Sequence, residues 1–439
     1  MDKSLKRTIM ASIIGTVLEW YDYVLYGTAS ALIFDKVFFP NFSGAFGTLM
    51  AFATFAVGFI IRPLGGIIFG TLGDKIGRKR VLMITIVLMG SATTLMGVLP
   101  TFDSIGYWAP ILLVLLRALQ GIGSGSEYAG AVITMAENAP VKRRGLYSSL
   151  PYVGVSIGLM LSSSLFGLME KLPHSSFMAW GWRIPFLLST LLVIFGLIIR
   201  SGMKETPVFE SLKKEHKQVK LPLVTAFRTA PKEIVIAWLI SLTDTSFSYL
   251  YQTFLVAYVV NTLSMPESLT LTTLSILGIV QLFTIPFFGA LSDKVGRRWV
   301  LIGGTLTSAI FGFPLFWILN TKIPFLIVLS IILASSVFRG AIVAAQASWF
   351  TELFNSKIRY TGFAVGREWP TVLAGLMPSF GSAVLIWSNN STWGISLLIV
   401  VFSLLAFVAA LVGPENSKLD LGEIENKPTY RERQTNLPS

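Results

Sequence analysis

The chain has 439 residues, 53% hydrophobic and 13% charged, with a mean hydropathy of +0.69 and a formal net charge of +12. A soluble domain carries about 25% charged residues, so this composition, with apolar runs of about 20 residues, excludes an ordinary soluble fold and implies an integral membrane protein. The lack of cysteine and the presence of only His174 and His216 exclude disulfides, Cys/His zinc sites and thiol chemistry.

The apolar runs are continuous rather than alternating, which predicts helices and not barrel strands. Lys3, Lys6 and Arg7 precede a run that is too long for a cleavable signal peptide and that holds Glu19 and Asp22. In chain order the predicted spans are 9–34, 45–72, 80–99, 108–137, 143–170 and 181–200, then 232–261, 270–291, 298–319, 323–352, 357–387 and 392–412. The fold class is therefore an all-α membrane protein of twelve helices in two six-helix halves, 1–200 and 232–412. The polar stretch 201–231 reads as a cytoplasmic linker whose Lys213, Lys214, Lys217 and Lys220 form a solvated, lipid-facing strip. The tail 413–439 is short, polar and Pro-bearing, and is expected to be disordered. Alternating sides puts about 27 Lys and Arg on the face of the termini and about four on the other, which predicts cytoplasmic termini in a cell membrane. These basic residues set topology and do not point to nucleic acid.

One stretch occurs twice. Gly70 to Arg80 reads GTLGDKIGRKR, and Gly289 to Arg298 reads GALSDKVGRR. The repeat makes the halves equivalent and puts both loops on one side. Asp74 and Asp293 precede Arg78 and Arg297 by one turn, and Gly77 and Gly296 permit the tight turn between them. A carboxylate there can bond an Arg or a neighbouring helix end, and the bond must break for the halves to separate. Gly70, Asp74, Gly77, Arg78, Asp293, Gly296 and Arg297 are the predicted gate.

These loops resemble the signature of the major facilitator superfamily. Arg117-Ala-Leu-Gln120-Gly121-Ile-Gly123 resembles that superfamily's fourth-helix motif, whose Arg is implicated in proton transfer, while the fifth helix lacks the antiporter pattern Gly-Pro-x-x-Gly-Gly. Glu19-Trp20-Tyr21-Asp22-Tyr23, Arg62-Pro63-Leu64-Gly65-Gly66, Trp182-Arg183-Ile184-Pro185-Phe186 and Glu205-Thr206-Pro207-Val208-Phe209 resemble the metabolite:proton symporter family. Its members carry shikimate, α-ketoglutarate, citrate, and proline or betaine. The resemblance implies a symporter with no cofactor other than the proton as coupling ion, working as a monomer.

Charges inside a bilayer are costly and functional by default. Glu19, Asp22, Glu127, Asp244 and Glu368 lie at membrane depth, against Arg62, Arg117, Arg339 and Arg367, while Glu137 and Glu352 read as interfacial. Gly15, Glu19, Asp22 and Tyr26 share one face of the first helix, and Arg117, Gln120, Ser124 and Glu127 one face of the fourth, with Tyr128 alongside. Arg117 and Glu127 are about 15 Å apart along the axis, so each needs a partner elsewhere. For Arg117 the candidates are Glu19 and Asp22. Asp244, Ser248, Tyr251 and Tyr258 align on the seventh helix, Gln281 precedes Pro286, Gln346 lies two turns beyond Arg339, and Arg367-Glu368 sits before a kink at Pro370. Arg367-Glu368 departs from the family pattern, and the extra acids weigh against a simple anionic substrate.

The predicted proton-coupling set is Glu19, Asp22, Arg117 and Glu127. The predicted substrate set is Tyr26, Arg62, Gln120, Tyr128, Tyr152, Asp244, Tyr251, Gln281, Arg339, Gln346, Arg367 and Glu368; no metal ligands are expected. The expected function is proton-coupled import of a small polar metabolite by alternating access, with an organic carboxylate first, a zwitterion such as proline or betaine second and a cation third. A proton crossing ~100 mV gains about 2.3 kcal/mol. A pH difference of ~1 unit adds about 1.4 kcal/mol. A channel is the alternative from another class. An enzyme or ATP-driven pump is not expected, since no phosphate-binding loop or His/Cys cluster occurs.

Overall fold

The structure, a computed structural model, describes residues 3–41, 44–214 and 221–421. The spanning helices of the first half are α1 (Lys3–Leu32), α2 (Gly44–Ile76), α3 (Arg78–Val98), α4 (Trp108–Asn138), α5 (Val141–Glu170) and α6 (Arg183–Ser201). Those of the second are α7 (Pro231–Val260), α8 (Glu267–Val295), α9 (Arg297–Leu319), α10 (Pro324–Leu353), α11 (Arg359–Ala374, resumed as Met377–Trp387) and α12 (Trp393–Val412). Ten of these are long and apolar enough to cross a bilayer by length and composition. The other two, α1 and α11, carry Glu19 and Asp22 and the pair Arg367-Glu368.

The sequence sorts inside from outside in a sense opposite to that of a soluble bundle. Ile60, Leu64 and Ile68 form an exposed stripe one turn apart on α2, and Leu397, Val401, Leu404 and Val408 a similar one on α12. Such stripes face lipid tails, which cost them nothing, while buried Ser, Thr and charged side chains fill the interior.

The packing is unequal along the membrane normal. On the face that carries the repeated loops, one apolar core joins the halves: Tyr128, Val132 and Tyr152 pack in the same cluster as Trp349, Phe350, Tyr360 and Phe363. At the opposite end the core divides in two. Tyr21, Phe34, Trp182 and Phe186 serve the first half, and Phe247, Tyr251, Phe316 and Ile399 the second. The halves are thus closed on the loop face.

The helix at Arg367-Glu368 continues through Pro370 to Ala374 and breaks at Gly375, and Met377 starts the next segment. Two sequence expectations need correction. On α7, π-helical turns at Leu250–Phe254 and Tyr258–Thr262 widen the helix beyond Tyr251 and turn Tyr258 off the line of Asp244 and Tyr251. Also, 413–421 is ordered: Trp349 Nε1 donates to the Pro414 carbonyl at 2.7 Å, and Asn416 Nδ2 to that of Glu352 at 2.9 Å. Residues 422–439 lie outside the described residues. So do Lys217 and Lys220 of the linker, whose flanks form the short helices Pro207–Lys214 and Pro222–Thr229.

Candidate functional site

At mid-depth, three acids and three arginines form a row of alternating sign across both halves. Glu19 Oε1 lies 2.7 Å from Arg62 Nη2, and Arg62 Nε lies 2.7 Å from Glu368 Oε2. Arg367 follows, 3.9 Å from Glu368 and 3.7 Å from Asp244, and Arg339 Nε is 3.0 Å from Asp244 Oδ1. Gln346 Nε2 donates to Asp244 Oδ2 at 3.2 Å, and Arg339 Nη2 to the Tyr152 hydroxyl at 3.0 Å. The Arg367 guanidinium lies 3.9 Å from the centre of the Tyr128 ring. The acids that weighed against an anionic substrate are therefore each matched by an arginine.

A small cavity opens beside this row, lined by Trp20, Arg62 and Tyr152 from one half and by Arg339, Arg367 and Tyr249 from the other. Thr245, Ser248 and Thr371 add hydroxyls. Several buried atoms of the row have no hydrogen-bond partner: Nη1 of Arg339 and of Arg367, Oε2 of Glu19, Oε1 of Glu368 and Oδ1 of Asp244. Buried polar atoms are costly to leave without hydrogen bonds, and these lie beside the cavity. Tyr249 carries the Phe59 ring of α2 at 5.5 Å across the halves. Sequence reading missed it because, five residues on, regular helical spacing puts it off the face of Asp244.

The other predicted residues stand apart from this cavity. Arg117 pairs with neither Glu19 nor Asp22, contrary to expectation. Its guanidinium sits in an aromatic cage 4.5, 4.2 and 4.8 Å from the rings of Tyr23, Tyr26 and Phe55, and it donates to Gln120 Oε1. Arg62 has taken Glu19, and Asp22 is held by hydroxyls, accepting from Thr93 Oγ1 at 2.7 Å and Ser189 Oγ at 3.0 Å. The Tyr26 hydroxyl donates to Thr54 Oγ1. Tyr251 packs in the apolar cluster of the second half, and Gln281 donates to Ser335 at 3.4 Å. Glu127 pairs with Arg200 of α6 and accepts from Thr85 Oγ1 at 2.7 Å. Gly15 lies over that pair, where a Cβ would collide with both side chains.

The repeated loops close the loop face by reaching into the opposite half. Asp74 of α2 accepts from the Tyr360 and Thr361 N–H groups at 3.2 and 2.9 Å and from Thr361 Oγ1 at 2.8 Å, so it caps α11. Asp293 of α8 accepts from the Gly145 and Leu146 N–H groups at 2.7 and 2.9 Å, near the start of α5. Gly77 and Gly296 turn with φ of 104° and 102°, a conformation that disfavours any side chain.

Around these caps lie two matching ion clusters. Glu137 accepts from Arg359 at 2.8 Å and from Arg78 at 3.5 Å, and Glu352 accepts from Arg144 at 3.0 Å and from Arg297 at 3.3 Å. Glu137 and Glu352 are both buried in the protein, at the loop-face ends of their helices. Glu-x6-Arg, at 137–144 and again at 352–359, was the missed signal. Glu205 and Glu415 repeat the theme at the starts of α3 and α9, accepting from the N–H groups of Arg78 at 3.0 Å and Arg298 at 2.8 Å. Gly70 packs against α11 at Thr361. Arg183, on the other face, donates to the Gly97 and Leu99 carbonyls and so caps the end of α3.

The comparisons with known proteins agree with this geometry. The family model described as sugar (and other) transporter matches residues 7–225, and that of the Major Facilitator Superfamily matches residues 234–434. A shikimate transporter of Escherichia coli (strain K12) is 39% identical over 94% of this chain and 95% of its own. A proline/betaine transporter of the same strain is 32% identical over 97% of this chain and 85% of its own. Among solved structures, the proton:xylose symporter XylE bound to 6-bromo-6-deoxy-D-glucose superposes with a TM-score of 0.78 at 18% identity, covering 96% of this chain and 98% of its own.

Proposed function

Since the chain belongs to the major facilitator superfamily, within the metabolite:proton symporter family, and is a multi-pass membrane transporter rather than an enzyme, we propose that it imports a small organic carboxylate together with a proton. The loop face is cytoplasmic in this reading, because it holds most of the Lys and Arg. The observation that carries the substrate class is the pair of buried Nη1 donors, on Arg339 and Arg367, that make no hydrogen bond beside a cavity shared by both halves. A carboxylate satisfies two such donors at once and is the group guanidinium geometry fits best. The threonine and serine hydroxyls on the same wall suit a hydroxylated acid, and Trp20 and Tyr249 suit a ring.

Charge balance links the substrate to the proton. Five buried acids, Glu19, Asp22, Glu127, Asp244 and Glu368, oppose five buried arginines, Arg62, Arg117, Arg200, Arg339 and Arg367, so the set is neutral. A monoanion alone would leave one uncompensated charge out of water, and a proton on one carboxylate removes it. Glu19 is the acceptor in this scheme: its Oε2 is unpaired, and its other oxygen holds Arg62, which bridges to the second half. Protonation of Glu19 loosens its grip on Arg62 and leaves that arginine to Glu368, which draws the halves together around the cargo. Glu127, one helical turn nearer the loop face and paired with Arg200, is the next station for the proton on its way in.

A second reading has its own support. Oε1 of Glu368 and Oδ1 of Asp244, which accept no hydrogen bond, are carboxylate oxygens beside those donors, which suits the cationic end of a zwitterion such as proline or betaine. A thermal-shift screen of purified protein against organic acids, amino acids and betaines, followed by pH-driven uptake of the hits in proteoliposomes, decides between them. Stabilisation by carboxylates alone supports the first reading, stabilisation by betaines the second. Unitary currents in a planar bilayer would overturn both.

A further inference from the structure

The loop-face end of α7 has a feature that transport does not use. Between the first turns of α7 and the last turns of α12 runs an apolar groove, walled by Val235, Ile236, Leu239, Val408, Ala409 and Val412. It is open on its outer side, with a volume of about 410 Å³, and Lys232 lines its outer end. Lys232 is exposed and makes no ion pair among the described residues.

Depth along the membrane normal identifies the occupant. Trp238 stacks on Trp369 with ring centroids 5.6 Å apart, and Phe227 closes on both. Such aromatic clusters mark the membrane interface. Lys232 lies six residues before Trp238, about 9 Å further out, at headgroup level. From Lys232 to Leu239 the groove runs about 10 Å along the helix axis, from headgroup level inward to the depth of Trp238. The adjoining helix Pro222–Thr229 has Leu221, Val224 and Phe227 exposed on one side, with Arg228 beside them. An apolar exposed edge flanked by cations, at the end of a spanning helix, belongs in the interfacial layer.

We propose that this corner is a binding site for an anionic phospholipid, one acyl chain lying in the α7/α12 groove and the headgroup phosphate on Lys232. The groove supplies the apolar contact that any lipid would use, and the lysine supplies the preference for negative charge. The site lies outside the ionic row and the gate, so its failure and that of the transport reading are separable.

The test uses the full chain in nanodiscs, with phosphatidylglycerol competing against phosphatidylcholine and bound lipid counted by native mass spectrometry. Wild type should retain phosphatidylglycerol about five-fold over phosphatidylcholine, since one surface lysine contributes about that factor. Lys232→Glu should abolish the preference while leaving total lipid and phosphatidylcholine-supported melting unchanged. Ala409→Trp, which fills the groove, should lose the retained lipid of either kind. As a check on folding, Lys232→Arg should keep the preference. Wild-type retention without charge preference, or an undiminished preference in Lys232→Glu, overturns the proposal, as does full retention in Ala409→Trp.

Discussion

The loop-face seam and the mid-depth row are built from the same side chains, arginines against carboxylates, yet differ in how they bind the halves together. At the seam each acid meets partners from both halves: Glu137 holds Arg78 and Arg359, Glu352 holds Arg297 and Arg144, and Asp74 and Asp293 grip helix starts. At mid-depth one ion pair, Arg62–Glu368, and the Arg339–Tyr152 hydrogen bond join the halves, and the row lines a cavity. Both places keep buried atoms without hydrogen bonds, Oε2 of Glu137 and of Glu352 at the seam among them, so it is the cavity that sets them apart. The contrast separates a lock, packed shut by its ion pairs, from a receptor, which leaves room for a ligand.

The largest effect should follow from emptying the receptor. Arg339→Ala leaves Asp244 buried without its nearest cation, and breaking a buried pair costs about 3–5 kcal/mol. Uptake in proteoliposomes should fall at least ~100-fold, and Arg339→Lys should recover little of it because an ammonium lacks the planar fork. Uptake near wild type in both variants would remove Arg339 from the site. Next comes Glu19→Gln, which fixes the neutral form. Accumulation driven by a pH gradient should vanish while substrate exchange at equal pH continues; Asp22→Asn, held by two hydroxyls, should lose less. Retained accumulation in Glu19→Gln would move the coupling role elsewhere.

Weakening the lock should cost less and read out differently. The chain has no cysteine, so Ser149→Cys, buried against Gly289 of the other half, is a lone reporter. Asp293→Asn removes the charge from bonds worth about 1.5–3 kcal/mol each, and labelling at that position should quicken at least ~10-fold. Unchanged labelling would mean that the seam does not depend on this carboxylate. The smallest effect is expected on the lipid-facing stripe: Ile68→Ala should change uptake less than about two-fold, since its neighbours are lipid.

Most of the fold was legible because bilayer chemistry is blunt. Apolar runs gave the twelve spans, and the Asp-x-x-Gly-Arg repeat gave the two halves. The row at mid-depth was legible as a set of residues, since each charge out of water requires a reason. Its pairing was not. Nothing in the spacing said that Arg62 rather than Arg117 would take Glu19, because that depends on which faces of α1, α2 and α4 meet. Tyr249 stayed hidden because it lies off the face of Asp244 by helical spacing, and only the approach of Phe59 from the other half brings it to the cavity. Glu137 and Glu352 stand near helix ends, and only the paired Glu-x6-Arg spacing hinted at their role in closing the seam.

Asp74 and Asp293 hold main-chain N–H groups of the other half, which every residue but proline supplies. The clasp therefore reads chiefly the position of a helix end, and few side chains there matter to it: the Thr361 hydroxyl, Arg359 and Arg144 in the ion clusters, and Gly145, where a Cβ would collide with Ser292 and Arg297. Evolution is free to rewrite the rest of the recipient segments without loosening the closure, so long as these residues, the two aspartates and the glycine turns endure. Halves exchanged between distant relatives should still fasten to one another, and new cargo specificities can arise by recombination without rebuilding the hinge.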